Sequence, residues 1–137
     1  MADKIVKADY FKIETPNRPG EGARVLKVLR DARVNLLAFT GFPRGRKTQM
    51  DFVPTNAAAF KKAMKRAGFS VSEKKPVFLI QGRDRVGAIH HVMEKLGKAG
   101  INATALDAVT AGKGRYGVIL WVKAGDVRNA AKVLRVS

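Results

Sequence analysis

Apolar and polar side chains alternate from Tyr10 to Glu14, with Phe11 and Ile13 on one side and Tyr10, Lys12 and Glu14 on the other, as a half-buried strand requires. Pro16 and Pro19 end that strand, and Gly20 precedes a helix over about 21–32 whose apolar stripe is Val25, Leu26, Val28, Leu29 and Ala32. A second strand over 34–40, a basic turn at 44–47 and a third strand over 49–53 follow, the last closed by Pro54. Asn56 is placed to cap a helix that reaches about Ala67 and turns Phe60, Ala63 and Met64 inward. Residues 69–71 fit a short edge strand.

The same plan repeats. Strand 77–81, helix 87–99, strand 101–109, strand 115–122 and helix 126–134 leave only Arg135 to Ser137 for a fourth strand. That edge is then vestigial, or is filled by Lys4 to Ala8 or by another chain. A shift of 67 positions superposes the halves without a gap: Phe11 falls on Phe78, Ile13 on Ile80, Arg18 on Arg85, Gly20 on Gly87, Val25 on Val92, Leu29 on Leu96 and Asn35 on Asn102. The expected architecture is therefore α+β: two ferredoxin-like βαββαβ units, 1–73 and 74–137, with antiparallel sheets, helices on one face, and the sheets joined side by side.

The halves differ in their strand faces. In the second, both sides of the strands are apolar, Val77 and Leu79 opposite Phe78 and Ile80, and Val118 and Leu120 opposite Ile119 and Trp121, whereas the positions of the first that face away from the helices are Tyr10, Lys12, Gln49, Asp51 and Val53. An apolar second face predicts a homo-oligomer, with a dimer favoured, packed through that sheet. The first unit is then the better ligand candidate.

Charge and composition narrow the function. The chain carries +16, from 27 basic against 11 acidic residues. The excess is shared: residues 1–73 hold 15 basic and 7 acidic side chains, and 74–137 hold 12 and 4, so each half is +8. Polyanionic or acidic partners are favoured. The candidate docking residues are Arg44, Arg46 and Lys47 of the turn, and the lysine-rich helix face of Lys61, Lys62, Lys65 and Arg66. Cysteine is absent, which excludes disulfides and thiol chemistry and fits a cytoplasmic setting. Residues 1–13 interleave charges with single apolar residues, unlike a signal peptide, and the longest apolar stretch, Val118 to Val122, is far too short to span a bilayer.

No catalytic constellation emerges, and neither a metal nor a cofactor is expected. His90 and His91 are helix neighbours that do not converge. Asp51 and Asp107 fall in different units, and residues 41–47 lack the Gly-Lys-Ser/Thr of a phosphate loop. An RNA-recognition domain shares the element order, and Lys113 to Val118 is superficially similar to its third-strand motif. Against it, Phe78 points toward the helices and Asp51 would put a negative charge on the binding face. The nucleic-acid reading rests mainly on charge.

The most informative local feature is the turn Asn17-Arg18-Pro19-Gly20, matched by Asp84-Arg85-Val86-Gly87, each between the first strand and first helix of its unit. Glycine there permits a tight turn, and N–H groups at a helix start receive a carboxylate. Asn17, Asn35 and Asn102 or the Asp84 carboxylate offer oxygens to an ammonium group. As a plain structural feature, each turn simply starts a helix.

These residues resemble a known family. Asn17-Arg18-Pro19-Gly20 with Val34-Asn35-Leu36 is similar to the corresponding elements of ACT domains, in particular the serine-responsive domain of phosphoglycerate dehydrogenase. The resemblance implies a stand-alone tandem regulatory protein that binds a small amino acid or related metabolite at interfaces between units. It implies ligand contacts from Asn17, Pro19, Gly20 and Asn35, and from Asp84, Gly87 and Asn102 in the second unit. Thr15 and Gly82 stand where the serine-binding version has a ligand-contacting histidine, Val86 replaces the motif proline, and Arg33 replaces the glycine usual before the second strand. Serine specificity is thus not implied. A protein-protein scaffold without ligand is a further alternative.

Overall fold

The computed structural model describes residues 3–136. Its elements are β1 (Lys4–Pro16), α1 (Glu21–Asp31), β2 (Leu36–Arg44), β3 (Lys47–Pro54), α2 (Ala57–Arg66), β4 (Lys75–Arg83), α3 (His90–Lys98), β5 (Ala103–Thr110), β6 (Arg115–Val122) and α4 (Val127–Leu134), the last preceded by a short 3-10 turn. Contacts divide them into a first unit of residues 9–75 and a second unit that joins the described part of 1–8 to 76–136. The expected boundary after residue 73 is therefore shifted, and β1 is divided at Ala8.

In the first unit β3 lies between β1 and β2, antiparallel to both. Phe11 pairs with Phe52 and Ile13 with Met50, so the alternation of β1 meets that of β3 on one face. Those four side chains close against Val25 and Leu29 of α1 and Phe60 and Met64 of α2, all at most 2% exposed. Phe60 stacks on Phe11 at 5.3 Å and meets Phe52 at 5.4 Å. Asn56 caps α2 as its position predicts, accepting the Ala59 N–H at 2.9 Å. Gly20 starts α1 differently: it takes the left-handed conformation, φ 92°, and no side chain caps the helix.

Residues 69–71 do not form the expected strand. Ser72 bridges to β1, donating its N–H to Lys12 O at 3.0 Å and accepting the Lys12 N–H on its hydroxyl at 2.9 Å. That spends the Lys12 amide on a side chain, so no backbone ladder develops.

In the second unit β6 lies between β4 and β5, antiparallel to both, and β4 is hydrogen-bonded on its other side to β1. The N-terminal residues of β1 thus take the place of the missing fourth strand. Phe78, Ile80, Val118 and Leu120 face Val92 and Leu96 of α3 and Ala130 and Leu134 of α4. α3 begins three residues later than its apolar pattern predicts, because Gly87 adopts φ 73° and residues 87–89 form a turn.

Two expectations about the opposite faces are corrected. Val77, Leu79 and Ile119 are 1%, 8% and 6% exposed in the single chain, so exposed apolar surface on that sheet does not argue for a dimer. Nor is the first unit's face wet: Gln49 and Asp51 are buried. They are accommodated by a hydrogen-bond chain in which Arg44 donates to Gln49 Oε1 at 3.0 Å and Gln49 Nε2 donates to Asp51 Oδ1 at 3.0 Å. Burial still pushes the Asp51 carboxyl above its ordinary value, against the Gln49 hydrogen bond and the charges of Lys12 and Lys75. No helix among the described residues is long and apolar enough to cross a membrane.

Candidate ligand cleft in the second unit

A cleft of about 350 Å³ opens where β4 hands over to α3. The Asp84-to-Gly87 turn and residues 88–90 form one wall, the end of β5 at Ala108–Thr110 forms the other, and Tyr116 of β6 completes the lining. The turn is tied down by Asp84, whose N–H donates to Gly114 O at 2.7 Å, and by Ala88, whose N–H donates to Arg85 O at 3.2 Å. Neither the first turn of α3 nor its cap position carries an acidic or capping side chain. The helix start is therefore open to an anion on the side where Arg85 stands. The Asp84 carboxylate is exposed and has no hydrogen bond or ion pair to the described residues.

Behind the cleft lies a polar cluster. The Asp3 side chain, only 2% exposed, accepts from both terminal nitrogens of Arg85 at 3.4 Å and lies 3.2 Å from His91 Nε2. Arg85 is further held by its own bond to Arg83 O at 2.8 Å. Burial works against the Asp3 carboxylate, but the Arg85 hydrogen bonds, the nearby Tyr116 hydroxyl and the charges of Arg85 and His91 keep it below its ordinary range. Tyr116 is buried, and its hydroxyl makes no hydrogen bond of ordinary length and geometry to the described residues. Burial first, and the Asp3 carboxylate as a longer-range acceptor second, push that phenol up to about 12.

The predicted residues divide unevenly over this geometry. Asp84 and Gly87 line the cleft; Asn102 does not. Asp84 sits at the Arg115 end of β6, while Asn102 precedes Ala103, which pairs with Val122 at the other end. The first unit repeats the separation. Asn17 donates its N–H to Arg46 O and accepts the Thr48 hydroxyl at 3.1 Å, while Asn35 uses its carbonyl for Thr55 beyond the far end of β3. Strands of eight residues at ~3.3 Å per residue put the members of each pair roughly 25 Å apart. Within a unit, then, turn and asparagine do not meet. Pro19 and Gly20 lie exposed on the turn beside Asn17.

Of the basic hairpin, Arg44 is engaged with Gln49, and Arg46 and Lys47 are exposed. The His91 side chain is 42% exposed, and its Nε2 lies beside Asp3. Asp3, Arg85 and Tyr116 were not among the predicted site residues. The usable signal was Gly82, a glycine inside an apolar strand at the place of a ligand-contacting side chain. Among the described residues no three His, Asp or Glu side chains gather as a metal site would require.

No family model and no curated protein matches the chain. Solved structures do. A protein of Bacteroides thetaiotaomicron superposes with TM-score 0.81 at 21% identity, over 96% of this chain and 88% of that one. The ligand-free regulatory subunit of aspartate kinase from Thermus thermophilus gives 0.67 at 15%, over 98% and 96%. The corresponding subunit from Thermus flavus gives 0.59 at 16%, over 98% and 94%. The fold of this chain is shared with these structures over nearly its whole length. At such identities the likeness speaks for the fold alone, and both units of this chain are included in it.

Proposed function

We propose that this chain is a non-catalytic regulatory module whose second ACT-type unit senses a small amino acid or related carboxylated metabolite. The observation that carries the reading is the Tyr116 hydroxyl, buried in the lining of the cleft without a partner of ordinary geometry among the described residues. Such a group costs about 1–3 kcal/mol unless something bonds to it. On the adjoining turn Arg85 and the α3 start suit a carboxylate, and the unpaired Asp84 suits an ammonium group. In the first unit Asn17, Pro19 and Gly20 form the equivalent turn, and Asn35 and Asn102 are proposed to contribute from a different site than the turn of their own unit. The solved neighbours named as regulatory subunits of aspartate kinase are in keeping with this role. A thermal-shift screen of the common amino acids, followed by calorimetry on Asp84→Asn and Arg85→Gln, tests it: both variants are expected to weaken binding roughly tenfold or more.

A second reading is supported by charge. Lys61, Lys62, Lys65 and Arg66 of α2 are exposed and make no ion pair with the described residues, whereas Arg24, Lys27 and Arg30 of α1 bond to Glu21 or Asp31. We propose this helix, with Arg46 and Lys47, as the docking surface for an acidic protein partner; nucleic acid is the competing polyanion. A dimer is proposed as the working state, supported by Leu37, Phe39 and Phe42, which stay exposed on the edge strand β2. Light scattering at several concentrations that returns only a monomer mass would remove it.

A further inference from the structure

The second unit contains a glycine that its backbone does not need. Gly82 lies inside β4, is buried, and is not among the residues with positive φ, so alanine would be conformationally acceptable there. Space is what forbids a side chain. A Cβ on residue 82 would overlap an Asp3 carboxylate oxygen and come within 2.8 Å of Tyr116 Cε1. The room that Gly82 leaves is thus occupied by a carboxylate delivered from 79 positions earlier in the chain.

What Asp3 does there follows from its partners. Its two oxygens hold both terminal nitrogens of Arg85, and Arg85 is 41% exposed and lines the cleft. A guanidinium has five N–H donors, so a head fixed from behind by Asp3 and Arg83 O retains donors for a ligand. A long, rotamer-rich side chain that is already fixed loses less entropy on binding than a free one. The first unit lacks the device: Thr15 stands in place of Gly82, and Arg18 reaches only Glu21 at 3.5 Å, at the surface. Asp3 also immediately precedes β1, which is hydrogen-bonded to β4.

We infer that Asp3 is the positioning residue of the ligand cleft, holding Arg85 ready for a ligand carboxylate, so that ligand binding and the seating of the chain's N-terminal residues are linked. This rests on the ligand reading of the cleft. Linkage is reciprocal: loss of Asp3 weakens the ligand, and the ligand protects the N-terminal segment.

The test uses the full chain and the amino acid giving the largest thermal shift with the unaltered protein. Two variants attack the contact from opposite sides: Asp3→Asn removes the charge, and Gly82→Ala evicts the carboxylate while leaving every polar group present. Ultraviolet titration reads the cluster without ligand: the Tyr116 phenol, pushed up to about 12 by burial first and by Asp3 second, should fall part of the way in both, since the burial remains. Calorimetry should show roughly tenfold weaker binding in both, and the amino acid should slow proteolysis near the N-terminus of the unaltered protein only. Affinity within twofold of the original despite a fallen phenol value overturns the inference and leaves the cleft reading standing. Absence of binding by the unaltered protein to every amino acid overturns the cleft reading, and the inference with it. Should Asp3→Asn not fold, Gly82→Ala decides alone by the same two readouts.

Discussion

Arg85 donates to both carboxylate oxygens of Asp3 at 3.4 Å across 82 positions of sequence. The pair joins the first described residue of the chain to the turn that opens the cleft, and its acid behaviour can be worked out. The Asp3 carboxyl titrates below its ordinary value of 3.8 in the folded protein. Its stabilisation is therefore fully present above that unfolded value and is lost as pH falls from there through the lower folded one. Unfolding free energies of Asp3→Asn and the unaltered protein from urea denaturation should differ by about 1 kcal/mol at pH 7, a figure at the low end for a charged hydrogen bond because Arg85 is partly solvated. The gap should stay constant down to about pH 5 and close below about pH 4.

Gly82→Ala should cost more in the unaltered protein than in an Asp3→Ala background, because the overlap with the carboxylate vanishes with it. The contact with Tyr116 remains in both. A double-mutant cycle by chemical denaturation should thus give a coupling of roughly 1 kcal/mol, within the range for residues in contact. Additive effects would mean that the two do not share the space.

Asp51 runs the opposite way. Its carboxyl is pushed up by burial, so the charged form is disfavoured in the folded state. Stability from this site rises as pH falls through the raised folded value toward the unfolded 3.8. Asp51→Asn keeps an oxygen to accept from Gln49 and removes the buried charge. It should be neutral or stabilising by about 1 kcal/mol at pH 7, measured by thermal denaturation.

Asn56→Ala should lower stability by about 1 kcal/mol, since its side chain satisfies the Ala59 N–H at the start of α2. Asn56→Asp should hold or gain a few tenths, because the first turn of that helix has no acidic residue to face its positive end. Circular dichroism melts separate the two.

Much of the fold was legible because it depends on periods within a few residues. The alternation of Phe11 and Ile13 found its face, the stripe of Val25 and Leu29 found the core, and the 67-residue shift found the second unit. The site was less legible, for reasons of geometry. Asn17 and Asn35 look adjacent when both are described as strand ends. With β3 between them and antiparallel to both, β1 and β2 run the same way, so the end of one is far from the start of the other. Asp3 carried no local signal at all, and only the overlap at Gly82 reveals what it meets. The burial of Gln49 and Asp51 was likewise hidden, because polar side chains on an alternating strand read as solvated unless their partners are known.

The most direct measurement is a calorimetric titration of the unaltered chain and of Asp84→Asn with the amino acid that raises the melting temperature most. A saturable site in the unaltered chain, weakened roughly tenfold by Asp84→Asn, is the predicted result. Heat for none of the common amino acids, or binding that Asp84→Asn leaves unchanged, would contradict the placement of an amino-acid sensor in the second unit.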